Sequence, residues 1–231
     1  LAAAGAPEGT LVIADEQTAG RGRLRRRWVA PPNTCLLMSL VFRPALAPAQ
    51  FLRLTMLCSL AAVEAIEAET GLVVGIKWPN DLVVPPLPTP HYRKLAGILT
   101  ETAIAGDEIL FAIVGMGINV NLDPAALGPV ATPATSLLAE LNRPVDRATL
   151  LAAILQRIET RYPQITGEQI HADWTRRLTT LGRRVTVTTV GEQIHGVAEG
   201  GAPDGALLLR DLAGSLHTIT AGDVTLRAQR L

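Results

Sequence analysis

Apolar and polar positions along this chain fall into three regimes. Up to about residue 120, short continuous apolar runs are bounded by Gly, Pro and Asn, the pattern of strands buried on both faces. They are Leu11 to Asp15, Cys35 to Phe42 and Ile109 to Val120. Between them, about Pro48 to Glu69 is apolar nearly all round and is followed by Gly71, which predicts a buried helix with a glycine stop. Leu72 to Lys77, Asp81 to Val84 and Lys94 to Thr102 read as three further short strands. The last two flank a Pro-rich excursion from Pro85 to His91, as in a hairpin with an extended tip. After a Pro- and Ala-rich loop, helical spacing takes over near Thr135 to Leu141, Asp146 to Tyr162 and Gly167 to Leu181. The final fifty residues switch to period two between Gly and Asp turns: Arg184 to Val190, Gln193 to Glu199, Ala206 to Leu209, Leu216 to Thr220 and Val224 to Leu226.

This order predicts an α+β chain with two parts, a larger one over 1–181 and a small antiparallel barrel over 182–231. A length of 231 residues suits one sizeable core with a satellite. No apolar run reaches the roughly 18 uninterrupted residues of a membrane span. No basic, apolar leader opens the sequence, and Cys35 and Cys58 sit inside apolar runs as free thiols do, so a cytoplasmic protein is expected. Basic and acidic residues balance at 21 each, so anion binding must be local rather than a property of the whole surface. All the basic residues but Lys77 and Lys94 are Arg. An ammonium does what a planar guanidinium cannot, and this draws attention to both lysines.

Four stretches could carry chemistry. Gly20-Arg21-Gly22-Arg23, continued by Arg25, Arg26, Arg27 and Trp28, sits in a polar loop. Its glycines admit an anion to the backbone and its arginines supply bidentate donors, although an Arg/Gly loop that contacts RNA has the same composition. Lys77-Trp78-Pro79-Asn80-Asp81 gathers an ammonium, an amide and a carboxylate at the end of one strand and the start of the next. A plain turn with Trp78 in the core would read alike. In Arg93-Lys94-Leu95-Ala96-Gly97-Ile98-Leu99 a lysine opens an apolar strand and Gly97 marks a close approach. In Gly115-Met116-Gly117-Ile118-Asn119-Val120-Asn121 glycines weaken a strand unless something lies against its backbone. His91, His171, His195 and His217 lack metal-ligand spacing and no Cys-x-x-Cys occurs, so a structural metal is not expected. Neither a Gly-x-Ser-x-Gly elbow nor a Walker loop is present.

In this order the four stretches resemble the biotin protein ligase family, over nearly the whole chain. Gly205-Ala206-Leu207-Leu208-Leu209 and Gly222-Asp223-Val224-Thr225-Leu226-Arg227 are similar to the end of that family's C-terminal domain. The resemblance implies a mixed sheet with flanking helices, of the class II synthetase and biotin/lipoyl ligase type, and an SH3-like C-terminal barrel. It implies activation of biotin by ATP as biotinyl-5′-AMP and transfer to one lysine of a biotin carboxyl carrier domain. Mg²⁺ would be held mainly through the phosphates, and a homodimer is expected. Arg21, Arg23, Lys94 and Asp81 are implied as catalytic, with Asp81 orienting or deprotonating the acceptor amine. Gln17, Gly20, Arg21, Arg23, Trp28 and Lys94 are implied for biotin. Arg23, Arg26, Trp28, Lys77, Asn80, Asn119 and Arg227 are implied for ATP. The loop from Gln17 to Trp28 is expected to close over the water-sensitive adenylate and to be mobile without ligand.

The chain departs from the family pattern at Arg25, where the family carries a glycine. The family's Ser-Thr biotin-binding segment would fall before Leu1, so either a segment upstream of this sequence supplies it or the pocket is incomplete. A DNA-binding domain further upstream stays open, while within the sequence no helix-turn-helix pattern appears. Two rival readings are a lipoyl or octanoyl ligase on the same architecture and a nonenzymatic RNA- or nucleotide-binding protein. The pairing of Lys-Trp-Pro-Asn-Asp with Gly-Arg-Gly-Arg argues for biotin against the first. Zero net charge, with three Trp, three Phe and two Tyr for stacking, argues against the second.

Overall fold

The computed structural model describes residues 1–23, 28–85, 92–127, 133–189 and 191–226. Arg25, Arg26, Arg27, the Pro-rich tip from Pro86 to His91 and Arg227 lie outside them. Six strands form the first sheet: β1 (Leu11–Ala14), β2 (Cys35–Phe42), β3 (Gly75–Lys77), β4 (Asp81–Val84), β5 (Arg93–Ala105) and β6 (Glu108–Asn119). Their order is β1-β2-β6-β5-β4-β3. Every ladder in this sheet is antiparallel, which corrects the expected mixed sheet. Connectivity accounts for the β3–β4 and β5–β6 pairs, whose links are short reversals, and a short reversal can only make antiparallel pairs. Parallel contacts are confined to the isolated bridges Ile76↔Leu178 and Lys94↔Ala134.

The expectation of a buried first strand is corrected too. β1 pairs only with β2, and Val12 and Ile13 are exposed at 43% and 53%. An edge strand has a neighbour on one side only, and its apolar composition cannot reveal that position.

Period two along the sheet sorts its side chains onto two faces. Leu36, Met38, Leu40, Ala112, Val114, Met116, Ile118, Ala96 and Ile98 point into the main core, where α1 (Leu52–Thr70) lies. The other side of α1 is covered by α3 (Arg147–Arg161) and α4 (Glu168–Arg177), so α1 is buried from Arg53 to Val63 without a polar stripe. Its length and composition would suit a membrane span, yet most of that surface is consumed inside the fold. Gly71, at φ 74°, ends it and donates its N–H to the Glu67 carbonyl at 2.9 Å. Asp146 caps α3 by accepting from the Thr149 N–H at 2.7 Å, and Ser136 caps the short α2 (Leu137–Leu141). Leu57 in α1 is fully buried. Leu57→Ala is expected to cost about 2–5 kcal/mol, read as a drop in denaturant midpoint at unchanged slope.

The second sheet runs β10-β9-β8-β7-β11, from β7 (Arg184–Thr188), β8 (Gln193–Gly201), β9 (Leu207–Asp211), β10 (Leu216–Ile219) and β11 (Asp223–Leu226). Among the described residues no ladder joins β10 to β11, so the expected closed barrel is absent as a hydrogen-bonded ring. The sheet must still curl. Flat, its edges would stand roughly 19 Å apart at about 4.8 Å per strand, whereas residues 220–222 reach about 14 Å at most. Its inward residues Val185, Val187, Ala198, Leu207 and Leu209 join the same continuous core as α1. The Trp78 indole also donates to the Gly205 carbonyl at 2.9 Å, so the small module is stitched to the larger part.

Candidate active site

The face of the first sheet turned away from α1 floors a cavity of about 660 Å³. Register explains its composition. Asp81, Gly97, Gly117 and Leu37 are cross-strand neighbours in one row, and Leu99, Gly115 and Ser39 form the next. Three glycines on adjacent strands leave a shallow trough where side chains would otherwise stand. The Trp28 ring lies directly on it: a Cβ at Gly117 would fall 2.7 Å from Trp28 Cε2, and one at Gly97 would fall 3.4 Å from Cζ3.

Lys94 reaches this face through a β-bulge. Along β5, simple alternation would put Lys94 with Ala96 and Ile98 in the core, opposite Gly97 and Leu99. The ladder to β4 pairs Leu82 with Ala96 but Val83 with Lys94, so Leu95 is an extra residue and parity reverses before it. Lys94 Nζ then stands 2.7 Å from Asp81 Oδ1, 5.6 Å from the Trp28 ring centroid and 3.3 Å from where a Cβ on Gly97 would lie. Both members of the ion pair are mostly shielded, with side-chain exposures of 25% and 15%, and the contact is correspondingly strong for its type.

The described ends of the Gly/Arg loop meet in a narrow neck beside this floor. Trp28 N–H donates to the Gly20 carbonyl at 2.9 Å, and Gln17 bridges Ala30. A Cβ on Gly20 would sit 2.5 Å from the Trp28 carbonyl oxygen, so the neck closes only with glycine there. Arg23 latches the loop to the sheet by donating to Asn80 Oδ1 at 3.3 Å. Asn80 in turn donates to the Ile98 carbonyl at 2.8 Å and accepts the Ile98 N–H on its own carbonyl at 2.9 Å. Arg21 meets Glu101 at 3.8 Å, but both are well exposed and the pair contributes little. The indole N–H of Trp28 is buried without a partner, a cost that a bound acceptor would relieve.

Gln17, Arg21, Arg23 and Trp28 thus line one cavity with Asn80, Asp81, Lys94 and Asn119, and Gly20 sits at its neck. Lys77 does not line it; it is the register partner of Asp81 one strand further out. Asn119 is 3% exposed, and its amide donates to the Thr135 carbonyl at 2.9 Å and accepts from Cys35 Sγ at 3.7 Å. Burial pushes the Cys35 thiol pKa up, which keeps it a neutral packing group here. Sequence reasoning missed Ser39, Leu127 and Ala134 on the lining, as well as Gly222 and Asp223 from the small module. Period two on β2 could have suggested Ser39. Nothing in local spacing could bring β11 to this rim.

Residues 2–119 match the biotin/lipoate A/B protein ligase family, and residues 180–227 match the biotin protein ligase C-terminal domain. The chain is 36% identical over 233 residues to the bifunctional ligase/repressor BirA of Bacillus spizizenii, covering 98% of this chain and 69% of that protein. It is 35% identical over 235 residues to the biotin–[acetyl-CoA-carboxylase] ligase of Mycobacterium tuberculosis, covering 96% and 81%. The chain belongs to the biotin protein ligase family. Its fold agrees with a solved member, the Aquifex aeolicus biotin protein ligase in complex with biotin and ATP, at a TM-score of 0.76 and 28% identity over 96% of this chain and 90% of that one. In this chain the described part of the Gly/Arg loop, the Lys94–Asp81 pair and the glycine floor share one cavity.

Proposed function

We propose that this chain activates biotin with ATP as biotinyl-5′-AMP and passes the biotinyl group to one lysine of a biotin carboxyl carrier domain. The observation that carries the reading is that Lys94, Arg23 and Arg21 line one cavity over a glycine floor. The first step brings two anions together: a biotin carboxylate oxygen attacks the α-phosphorus, and pyrophosphate leaves. Cationic groups at the cavity offset the repulsion and the charge that builds in the transition state. Lys94, tied to Asp81, is pre-oriented for that role, since an ammonium held in place needs no reorganisation as the charge develops.

Nucleotide-derived charge also bears on Mg²⁺. Among the described residues no cluster of three or more His, Cys, Asp or Glu exists, and Asp81 is already engaged by Lys94. That donor set fits a Mg²⁺ that arrives on the phosphates, neutralising them, rather than one caged by protein.

In the second step the carrier lysine's amine attacks the acyl carbon, AMP leaves, and the amine's proton must depart. Asp81 is the carboxylate at hand to orient the amine and take that proton. Because Asp81 also holds Lys94, Asp81→Asn is expected to slow both half-reactions. The transfer step should lose more, about 10²-fold or above; equal losses measured with preformed adenylate and with pyrophosphate exchange would remove the base role. The loop from Gln17 to Trp28 shields the mixed anhydride from water. A cytoplasmic homodimer is part of the same reading, supported by family resemblance and checked by light scattering.

Biotin-dependent ATP–pyrophosphate exchange tests the whole reading, with lipoate as the control acid. Exchange with biotin alone supports it. Exchange with lipoate instead favours the lipoyl-ligase alternative, and exchange with neither acid withdraws the activity.

A further inference from the structure

Lys94 stands at a bulge just where the main ladder on its strand runs out. The β5–β6 ladder begins at Ala96↔Ile118, so β6 offers Lys94 no hydrogen bonds. Its backbone is satisfied instead by a separate segment: Lys94 N–H donates to the Pro133 carbonyl at 2.7 Å, and the Thr135 N–H donates to the Lys94 carbonyl at 2.9 Å. The backbone from which the Lys94 side chain sets out toward Asp81 therefore depends on what holds residues 133–135.

Glu140, on α2, holds them. Its carboxylate accepts from the Thr135 hydroxyl, and both its oxygens are clasped by Arg93, Nε at 2.8 Å and Nη2 at 3.0 Å. Arg93 is the residue just before Lys94. Through the Thr135 carbonyl, which accepts from Asn119 Nδ2, the same knot reaches the end of β6. Burial works against the Glu140 carboxylate, yet the hydrogen bonds from Arg93 and Thr135 hold its pKa below the ordinary range. None of Arg93, Thr135 and Glu140 lines the cavity.

We propose that Glu140, through Arg93 and Thr135, is a positioning residue that fixes the backbone from which the Lys94 side chain reaches Asp81. A bulge is locally soft, because its extra residue leaves the ladder unpaired, and a bidentate guanidinium–carboxylate clasp supplies the rigidity that the ladder cannot. The kinetic half of this inference rests on the proposed role of Lys94; the structural half does not.

The sequence provides a direct probe, since Lys77 and Lys94 are its only lysines. Protein carrying ¹³C,¹⁵N-lysine should give two sets of lysine side-chain signals, assigned with Lys77→Arg and Lys94→Ala. Glu140→Gln keeps an acceptor for Thr135 but loses the charge, and Thr135→Val removes the hydroxyl. Both should shift the Lys94 Cε and Hε resonances while Lys77 stays put, and both should lower kcat for biotin-dependent exchange about 3–10-fold per biotin-binding site with little change in the KM for biotin. Glu140→Ala should lower it further, by 10-fold or more. A merely structural role would lower the melting temperature and the number of biotin-binding sites but leave the Lys94 signal and kcat per site unchanged, and that result overturns the proposal. If Glu140→Ala fails to fold, the two milder variants decide. A shifted Lys94 signal in a protein whose wild type shows no exchange would uphold the positioning and sink the ligase reading instead.

Discussion

Lys94→Ala is expected to lower biotin-dependent ATP–pyrophosphate exchange by about 10²–10³-fold, the loss typical when one preorganised donor to a developing charge is removed. The argument is geometric. Lys94 is the ammonium at the cavity, held by Asp81 at 2.7 Å and lying over the glycine floor. Arginine is not expected to replace it at full rate, because a planar, delocalised guanidinium does not reproduce the compact point charge that Lys94 sets against Asp81. The variant leaves Asp81 without its partner, so a Lys94→Ala/Asp81→Asn control separates loss of the cation from an unpaired carboxylate. Both proteins should keep their circular dichroism spectra. Exchange within about threefold of wild type in Lys94→Ala would remove this residue from the chemistry.

Gly117→Val should have the second-largest effect, and its two halves have opposite signs. In a strand interior Val is a better residue than Gly by up to about 1 kcal/mol, so backbone propensity alone predicts a more stable sheet. At this position, however, a Cβ falls 2.7 Å from Trp28 Cε2, and the branched side chain would fill the trough. Forcing Trp28 and any bound ligand off the floor is expected to cost about 1–3 kcal/mol, or roughly 5–150-fold in the dissociation constant for biotin, read by calorimetry. Unchanged affinity would mean that the ligand does not lie against this floor.

These two predictions rest on features of unequal legibility. The Gly20-Arg21-Gly22-Arg23, Lys77 to Asp81, Lys94 to Gly97 and Gly115 to Asn119 stretches could each be marked from residue types. Gly and Arg in a loop, or Gly in an apolar strand, make chemical sense only if something lies against the backbone. Which of them touch was not legible. Lys77 and Lys94 were equally conspicuous in a chain of arginines, and only the fold separates them, placing Lys94 on the cavity and Lys77 outside its lining. Asn119 invited a ligand role, and the fold places it on the cavity lining with its amide bonded to the Thr135 carbonyl and the Cys35 thiol.

What the sequence determined by itself is local and periodic. The strand runs, the helix from about residue 48 with its Gly71 stop and the turn-rich alternating end follow from side-chain period and backbone preference, which act within a few residues. What only the tertiary structure decided is relational. It made the first sheet antiparallel, exposed Val12 and Ile13 by leaving β1 at an edge, and left no ladder between β10 and β11 among the described residues of a curled second sheet. It brought Asp223 to a rim built by the other part of the chain. Above all it inserted Leu95 as an extra residue in β5, which turned Lys94 from the core face to the cavity face. A period-two pattern names two faces but not their neighbours, and one unpaired residue, invisible in that pattern, is enough to exchange them.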